Sequence, residues 1–471
     1  MKLRHWQTEC INLAIQKYEN GQKNFLTLAS PGAGKTVMAC GLANELLIQN
    51  LIDIIVCFSP SSVVCADFCS ILEMVIGHRF DGLLGSKGQS LTYQSMQYLD
   101  DSFWQLFSDQ RVFVIFDEIH HCAGSNTNDA NVWGEQIILN IQGKAEFSIA
   151  LTGTPWRSDT APIVLSRYAS RTSKIECDYV YGISRAVFDG VCRTPQIIAV
   201  DNDHISVTEK DGEKSFSSFN DLFSNSLFPY NKVIQNEKLL LHILKRANNK
   251  LDEVRTVNPA AGGLIVASSI EHVHKIALLM KTQLGEDSTT ITYKEDDPTQ
   301  LIRQYRNSSS KWVVSVGMIS EGTNIPRLQV TCHLTKIKTE MHFRQILGRN
   351  MRMTDQQNQE SIMFMPAEPK LVEYAYRIAD DIPDEADIVI LEKMTPSLCI
   401  SGESENTSYQ EPPIIADQGI ELNNIEFECD ATLPTVQTKN NSELTDNYEK
   451  TLNIFGKFKQ ETLELGLSPI D

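Results

Sequence analysis

Short apolar runs alternate with amphipathic stretches from Leu3 to about Val200, the pattern expected of strand–helix units around a parallel sheet. Residues 25–29, 54–58 and 112–116 read as buried strands, and each gives way to a loop rich in Ser, Pro, Gly or Asp. Open α/β sheets bind ligands outside the carboxyl ends of their strands, so chemistry is expected at those loops. Residues 201–235 are polar, rich in Ser, Asn and Asp, and contain a turn-like Asp211-Gly212; they are expected to connect or insert rather than form core. A second α/β series follows, with its clearest strands at 263–267 and 312–317. Beyond Pro396 the chain turns acidic and polar, except that Leu452, Phe455, Phe458 and Leu463 are spaced to make one amphipathic helix over 448–465. The predicted division is a first lobe over 1–200, a connector over 201–235, a second lobe over 236–395, and an acidic, partly flexible tail over 396–471.

Composition narrows the class without fixing the function. A chain of 471 residues exceeds what one hydrophobic core serves, so at least two units are expected. Apolar residues at 42% and charged residues at 22% fit packed cores and exclude a largely disordered chain. No run approaches the ~18 apolar residues of a membrane span, and the opening MKLRHWQTEC lacks the apolar stretch of a signal peptide. No membrane partner is expected, and the cytoplasm is the expected compartment. The 11 cysteines are scattered singly, many in apolar runs such as those around Cys40, Cys57 and Cys332, and read as reduced core residues. Cys57, Cys65 and Cys69 lack a second ligand pair and are not read as a metal site. The net charge of −18 argues against bulk attraction to nucleic acid. Residues 401–471, however, carry 14 acidic and 4 basic side chains, a net −10, which leaves −8 for residues 1–400. A strand-binding surface would therefore be a local groove.

The candidate chemistry begins at Ala29-Ser30-Pro31-Gly32-Ala33-Gly34-Lys35-Thr36, between a strand and a helix. Glycines there let backbone N–H groups converge on phosphate oxygens at a helix N-terminus, Lys35 can reach terminal phosphates, and Thr36 can ligate Mg²⁺. Ala29 stands where the general pattern has Gly. The second element is Asp117-Glu118-Ile119-His120, directly after the apolar run 112–116. A carboxylate at a buried strand end can hold Mg²⁺, the role expected of Asp117, and its neighbour Glu118 can orient the attacking water. An isolated Asp-Glu is more often a solvated strand end; its place downstream of a phosphate loop favours the functional reading. His120 and His121 are adjacent on irregular backbone and are not expected to share a metal; His120 is expected to reach the second lobe, and His121 to be loop surface.

These segments, with others in the same order, resemble the superfamily 2 helicases of the DEAH-like branch over roughly 3–352. Leu3-Arg4-His5-Trp6-Gln7 looks like the adenine-reading segment, with Gln7 as the amide. Ser59-Pro60-Ser61 and Thr92-Tyr93-Gln94-Ser95 occupy the places of two strand-gripping motifs, and 151–157, with Thr152 and Thr154, that of the motif coupling nucleotide state to strand contact. In the second half, 265–269 and 319–326 fall at the fourth and fifth motifs, and Gln345-Ile346-Leu347-Gly348-Arg349-Asn350-Met351-Arg352 matches the family's QxxGRxxR. Asn324 replaces the usual Asp, and Ser61-Ser62-Val63-Val64 fits its motif loosely. The subfamily likeness is to helicase subunits of restriction enzymes and bacterial DNA-repair helicases.

The resemblance implies two tandem RecA-like lobes, an α/β fold of parallel sheets flanked by helices. It implies ATP held by Gln7, Pro31, Gly32, Ala33, Gly34, Lys35 and Thr36, and Mg²⁺ on Thr36 and Asp117. Glu118 activates water, and Gln345, Arg349 and Arg352 arrive from the second lobe, where guanidinium groups can be worth ~10³-fold in rate. Ser61, Thr92, Gln94, Ser268 and Thr323 are the expected grips on the phosphate backbone, of DNA in preference to RNA. His120, Thr152, Thr154, Gly322 and Asn324 are the expected coupling residues. The implied activity is an ATP-dependent helicase or translocase. The alternative is an ATPase subunit of a DNA defence or repair assembly that senses or remodels DNA without unwinding and recruits an effector through its acidic tail.

Overall fold

The computed structural model describes residues 2–157, 161–171, 174–209, 212–317, 319, 323–356, 359–381 and 451–467. In chain order the first lobe contains α1 (His5–Glu19), β1 (Asn24–Ala29), α2 (Lys35–Ile48), β2 (Ile54–Ser59), α3 (Ser62–Ile76), β3 (Gly88–Thr92), α4 (Asp101–Asp109), β4 (Val112–Phe116), α5 (Val132–Asn140) and β5 (Phe147–Thr152). A small hairpin, β6 (Arg167–Tyr168) and β7 (Ile175–Glu176), then leads to β8 (Tyr179–Tyr181) and α6 (Ile183–Phe188). Six strands form one parallel sheet in the order β3-β2-β4-β5-β1-β8. Every residue of β4 and β5 is buried, which explains the unbroken apolar run of β4: a central parallel strand covered on both faces has no polar side. The expected strands at 25–29, 54–58 and 112–116 are β1, β2 and β4.

The second sheet has the order β13-β14-β12-β15-β16-β9-β18. Its strands are β9 (Pro195–Asn202), β12 (Gly262–Ala267), β13 (Ser288–Ile291), β14 (Trp312–Ser315), β15 (Leu328–Leu334), β16 (Ser361–Pro366) and β18 (Phe458–Leu463). All pair in parallel except β18, which runs antiparallel to β9. Between them lie β10 (Ile205–Glu209), β11 (Gly212–Phe216), α7 (Phe219–Asn225), α8 (Tyr230–Ile234), α9 (Glu237–Val257), α10 (Ile270–Leu284), α11 (Pro298–Asn307), α12 (Glu340–Asn350) and α13 (Pro369–Tyr376). The strands expected at 263–267 and 312–317 correspond to β12 and β14; the latter stops at Ser315, before Gly317 with its φ of 73°.

Two readings of the polar regions are corrected. The stretch 201–235 is not merely a connector: it carries the end of β9, then β10, β11, α7 and α8, and buries Phe219, Leu222, Phe228, Tyr230, Val233 and Ile234. Its apolar residues are too sparse to show a period, yet these six are buried in the tertiary structure. Residues 451–463 are not a helix but β17 (Thr451–Ile454) and β18; 448–450 lie outside the described residues. β17 completes a three-stranded sheet, β11-β10-β17, and β18 satisfies the backbone along the outer edge of β9. Gly456 makes the turn between them, where a Cβ would lie 2.2 Å from Asp203 Oδ1 and 2.4 Å from His204 N. Strand pairing therefore overrides the helical spacing of Leu452, Phe455, Phe458 and Leu463. Part of the acidic tail thus belongs to the second sheet; residues 396–450, and with them any effector docking there, lie outside the described residues. Among the described residues no helix is long and apolar enough to cross a membrane.

Candidate functional site

β1 delivers the chain into the loop 30–34, and α2 starts at Lys35. Gly32 and Gly34 adopt φ of 83° and 98°, conformations that side chains with a Cβ rarely take. This turns the backbone back onto the start of a 14-residue helix, a cradle suited to an anion. Gln7, buried on α1, donates from Nε2 to Gly34 O at 2.9 Å and accepts from Arg4 N at 2.8 Å, while Arg4 Nη1 donates to Ala33 O at 2.7 Å. The start of α1 and the loop 30–34 are thus one hydrogen-bonded unit. Ser30 Oγ is buried without a hydrogen-bond partner, a polar atom left in the cradle.

β4 ends beside this loop. Asp117 is buried, its carbonyl accepting from Tyr93 Oη at 2.7 Å, and Glu118 is a non-glycine residue with φ of 48°. That turn aims Glu118 back at the loop. Lys35 Nζ lies 3.2 Å from Glu118 Oε1 and 3.3 Å from Ala29 O. Glu118 Oε2 accepts from Gly153 N at 3.2 Å and lies 3.5 Å from His120 Nδ1. His120 Nδ1 is also 3.0 Å from Thr152 Oγ1, which accepts from Thr154 N at 3.1 Å. The Nδ1 partner of His120 therefore belongs to the first lobe, not the second. A Cβ on Gly153 would come within 3.1 Å of Lys35 Nζ, so this position keeps the ammonium's space open. Thr36 sits one residue into α2. With Asp117 and Glu118 at the neighbouring strand end, the donor set of hydroxyl and carboxylates fits a hard divalent cation. Among the described residues there is no group of three or more His, Cys, Asp or Glu placed to hold a metal by themselves, so such an ion would share its shell with water and phosphate.

The second lobe meets this site through α12 and the segment after it. A Cβ on Gly348 would lie 2.2 Å from Pro31 Cβ, and one on Gly32 would lie 3.0 Å from Arg352 Cγ. The two lobes touch at the phosphate loop itself. Arg349 Nη1 and Arg352 Nη1 both donate to Thr323 O, at 2.7 and 2.6 Å. Burial, then the neighbouring Arg349, push Arg352 below the ordinary arginine range. Gln345 lies on the same helix, partly exposed.

The expected grips are placed less openly. Ser61 Oγ caps α3 by accepting from Val64 N at 3.4 Å, and Thr92 Oγ1 accepts from Ser95 N at 3.3 Å; both residues are partly exposed, as is Gln94. Ser268 and Thr323 are buried: Ser268 Oγ is 2.9 Å from His272 Nδ1, and Thr323 Oγ1 donates to Ile319 O at 3.4 Å. Their hydroxyls are engaged inside the second lobe. Asn324 follows in the same segment, partly exposed; Gly322 lies outside the described residues.

Several residues at the seam carry no motif role in the sequence reading. Arg344 places its guanidinium 5.2 Å from the ring of Trp156 in the other lobe, and its Nη2 pairs with the fully buried Glu340 at 2.8 Å. Cys192 Sγ donates to Pro31 O at 3.6 Å. Arg193, in a segment with no recognisable pattern, is buried with five hydrogen bonds. Only long-range contact distinguishes these side chains from ordinary surface charge.

Residues 1–157 match the family described as type III restriction enzyme, res subunit. An uncharacterised protein of Mycobacterium tuberculosis is 27% identical over 387 residues, covering 79% of this chain and 62% of that one. One from Mycobacterium leprae is 28% identical over 388 residues, covering 79% and 63%. The chain thus spans less than two thirds of these relatives. Among solved structures, a fragment described as an HsdR subunit of a type I restriction enzyme from Vibrio vulnificus has a TM-score of 0.56 at 16% identity, covering 81% of this chain and 67% of the other. The ATP-dependent Type ISP restriction-modification enzyme LlaBIII, bound to DNA, has a TM-score of 0.50 at 14% identity, covering 83% and 29%.

Proposed function

Taking the chain as a superfamily 2 helicase that resembles restriction-enzyme subunits, we propose that it hydrolyses ATP at the seam between its lobes and uses the resulting motion to advance along DNA. The observation that carries this reading is the direct approach of Gly348 and Arg352 to Pro31 and Gly32. It supports a shared site in which one lobe holds phosphates and the other brings cations.

In this mechanism Gln7, Pro31, Gly32, Ala33, Gly34, Lys35 and Thr36 bind the nucleotide, and Thr36 and Asp117 hold its Mg²⁺. A bound metal–nucleotide would supply the phosphoryl group, and Lys35, paired with Glu118 at 3.2 Å in its absence, would turn to the terminal phosphates. Freed of its ion pair, Glu118 orients a water and takes up its proton. Arg349 and Arg352 exchange the carbonyl of Thr323 for the charge that develops on the transferred group. Because that carbonyl belongs to the fifth-motif segment, hydrolysis and the strand-facing part of the second lobe move together. Thr152 and Thr154, tied to His120 and Glu118, transmit the same change within the first lobe. Ser61, Thr92 and Gln94 are the surface grips on the phosphate backbone. Ser268 and Thr323 would join them only after breaking their internal hydrogen bonds.

The test is phosphate release by wild-type chain, Lys35→Ala and Glu118→Gln, with single-stranded DNA, duplex DNA and RNA offered separately. Both substitutions should reduce turnover by at least ~10²-fold, and DNA should stimulate the wild type more than RNA. Unchanged turnover in either variant would remove the assignment. Strand-displacement and translocation assays run side by side distinguish an unwinding enzyme from one that only translocates or remodels.

A further inference from the structure

We infer that Arg193 is the positioning residue for the two seam arginines, a buried strut that fixes their segment and the acceptor they rest on relative to the phosphate loop. This rests on the proposed ATPase reading. Arg193 lies where the chain leaves the first lobe for β9, and it is 1% exposed. An arginine has five N–H donors, and all five are used. Nε donates to Gln359 Oε1 at 3.0 Å; Nη1 donates to Leu328 O at 2.6 Å and Asn350 O at 3.0 Å; Nη2 donates to Pro326 O at 3.2 Å and Thr354 Oγ1 at 3.3 Å. Every acceptor is neutral, and among the described residues no carboxylate pairs with it.

A buried cation without a counter-ion carries a large desolvation cost, and an apolar side chain of similar volume is often as stable or more so. Burial alone pushes this guanidinium down to about 10. Something other than packing must account for its use here, and its partners supply the reason. Pro326 and Leu328 continue the segment that begins at Thr323, whose carbonyl holds Arg349 and Arg352. Asn350 and Thr354 flank Arg352 itself. Arg193 therefore ties together both sides of the contact that orients the seam arginines.

The same strap reaches the other lobe. Arg193 N donates to Met351 O at 2.8 Å, the neighbouring Cys192 forms an antiparallel bridge with Arg352, and its thiol donates to Pro31 O. A five-donor fork suits this arrangement because it reaches acceptors at 326–328, at 350–354 and at Gln359 at once, which a lysine with three donors cannot do. Its loss would let the 350–354 segment drift, and a misplacement of about 1 Å can cost ~10²-fold in rate.

The experiment measures kcat and KM for ATP, by phosphate release with the most stimulating nucleic acid, for Arg193→Lys and Arg193→Met in the wild-type and Arg352→Ala backgrounds. Thermal melting and binding of a fluorescent ATP analogue are followed in parallel. Arg193→Met should lower kcat roughly 30- to 100-fold, with KM within about threefold of wild type, and Arg193→Lys should fall between. In the Arg352→Ala background, where Arg349 is the one seam arginine left to position, the same changes should lower kcat by about tenfold or less. The inference is overturned if kcat of folded Arg193→Met stays within twofold of wild type, or if the loss is equally large in both backgrounds, as a merely structural role requires. If the Met variant does not fold, the Lys pair decides by the same comparison. Wild-type protein without ATP turnover would sink the parent reading, and this inference with it; active wild type with a dispensable Arg193 sinks this inference alone.

Discussion

Gly348→Ala separates two effects that usually travel together. Within the helix α12 the change should favour folding, because glycine costs about 1 kcal/mol against alanine in a helix interior. At the seam the new methyl would sit 2.2 Å from Pro31 Cβ, whereas ordinary contact begins at 3.4 Å. The deficit, 3.4 less 2.2, is about 1.2 Å. Little nearby can yield: the proline ring is rigid, Gly32 beside it already holds a φ of 83°, and Gly348 is locked in hydrogen-bonded helix. The lobes must therefore part by most of that distance, carrying Arg349 and Arg352 with α12. A displacement of this size in catalytic groups predicts a fall in kcat on the order of 10²-fold. Nucleotide affinity should change little, because Gln7, Gly34 and Lys35 lie in the other lobe. The measurement is steady-state phosphate release across ATP concentrations, with a melting curve on the same preparation. Pro31→Gly removes both ring atoms that clash, so the double variant should recover part of the lost turnover. A Gly348→Ala enzyme with kcat within threefold of wild type would show that the seam seen here is not the geometry in which hydrolysis occurs.

Other consequences follow from burial and pairing. Burial, and then Lys275, hold His272 down to about 4 against an ordinary 6.5. The unfolded chain therefore takes up a proton below pH 6.5 that the folded chain refuses until pH 4, and stability should fall across that window by up to about 3 kcal/mol; melting of His272→Asn should show a shallower slope there, and equal slopes would contradict the assignment. Ending the chain at Pro396 removes β17 and β18, with their buried Ile454 and Leu463, and exposes the edges of β10 and β9 that they cover. The truncated protein should melt several degrees lower, roughly 2–4 °C per kcal/mol lost, so its ATPase rate reports on autoinhibition only after that loss is allowed for. Trp156→Ala should disrupt the contact with Arg344 across the seam and lower nucleic-acid-stimulated turnover more than basal turnover, read as the ratio of the two rates; an unchanged ratio would place Trp156 outside the coupling path.

The amino-acid sequence by itself determined the elements whose information is local. Continuous apolar runs identified β1, β2, β4, β12 and β14, because a parallel strand buried on both faces must be apolar along its length. The phosphate loop and the Asp117-Glu118 strand end were legible for a related reason: their geometry depends on glycines and on a strand stopping at a fixed residue, both written in consecutive positions. The tertiary structure decided the rest. Leu452, Phe455, Phe458 and Leu463 have helical spacing, yet Leu452 lies in β17 and Phe458 and Leu463 in β18, because β10 and the open edge of β9, far earlier in the chain, offer backbone partners that a helix would leave unmet. Ser268, expected as a phosphate grip, has its hydroxyl 2.9 Å from His272 Nδ1 inside the second lobe, a pairing no motif announces. Arg193 has no motif at all; its meaning lies in three carbonyls from distant segments, and a hydrogen bond to a carbonyl leaves no trace in the identity of the residue that supplies it.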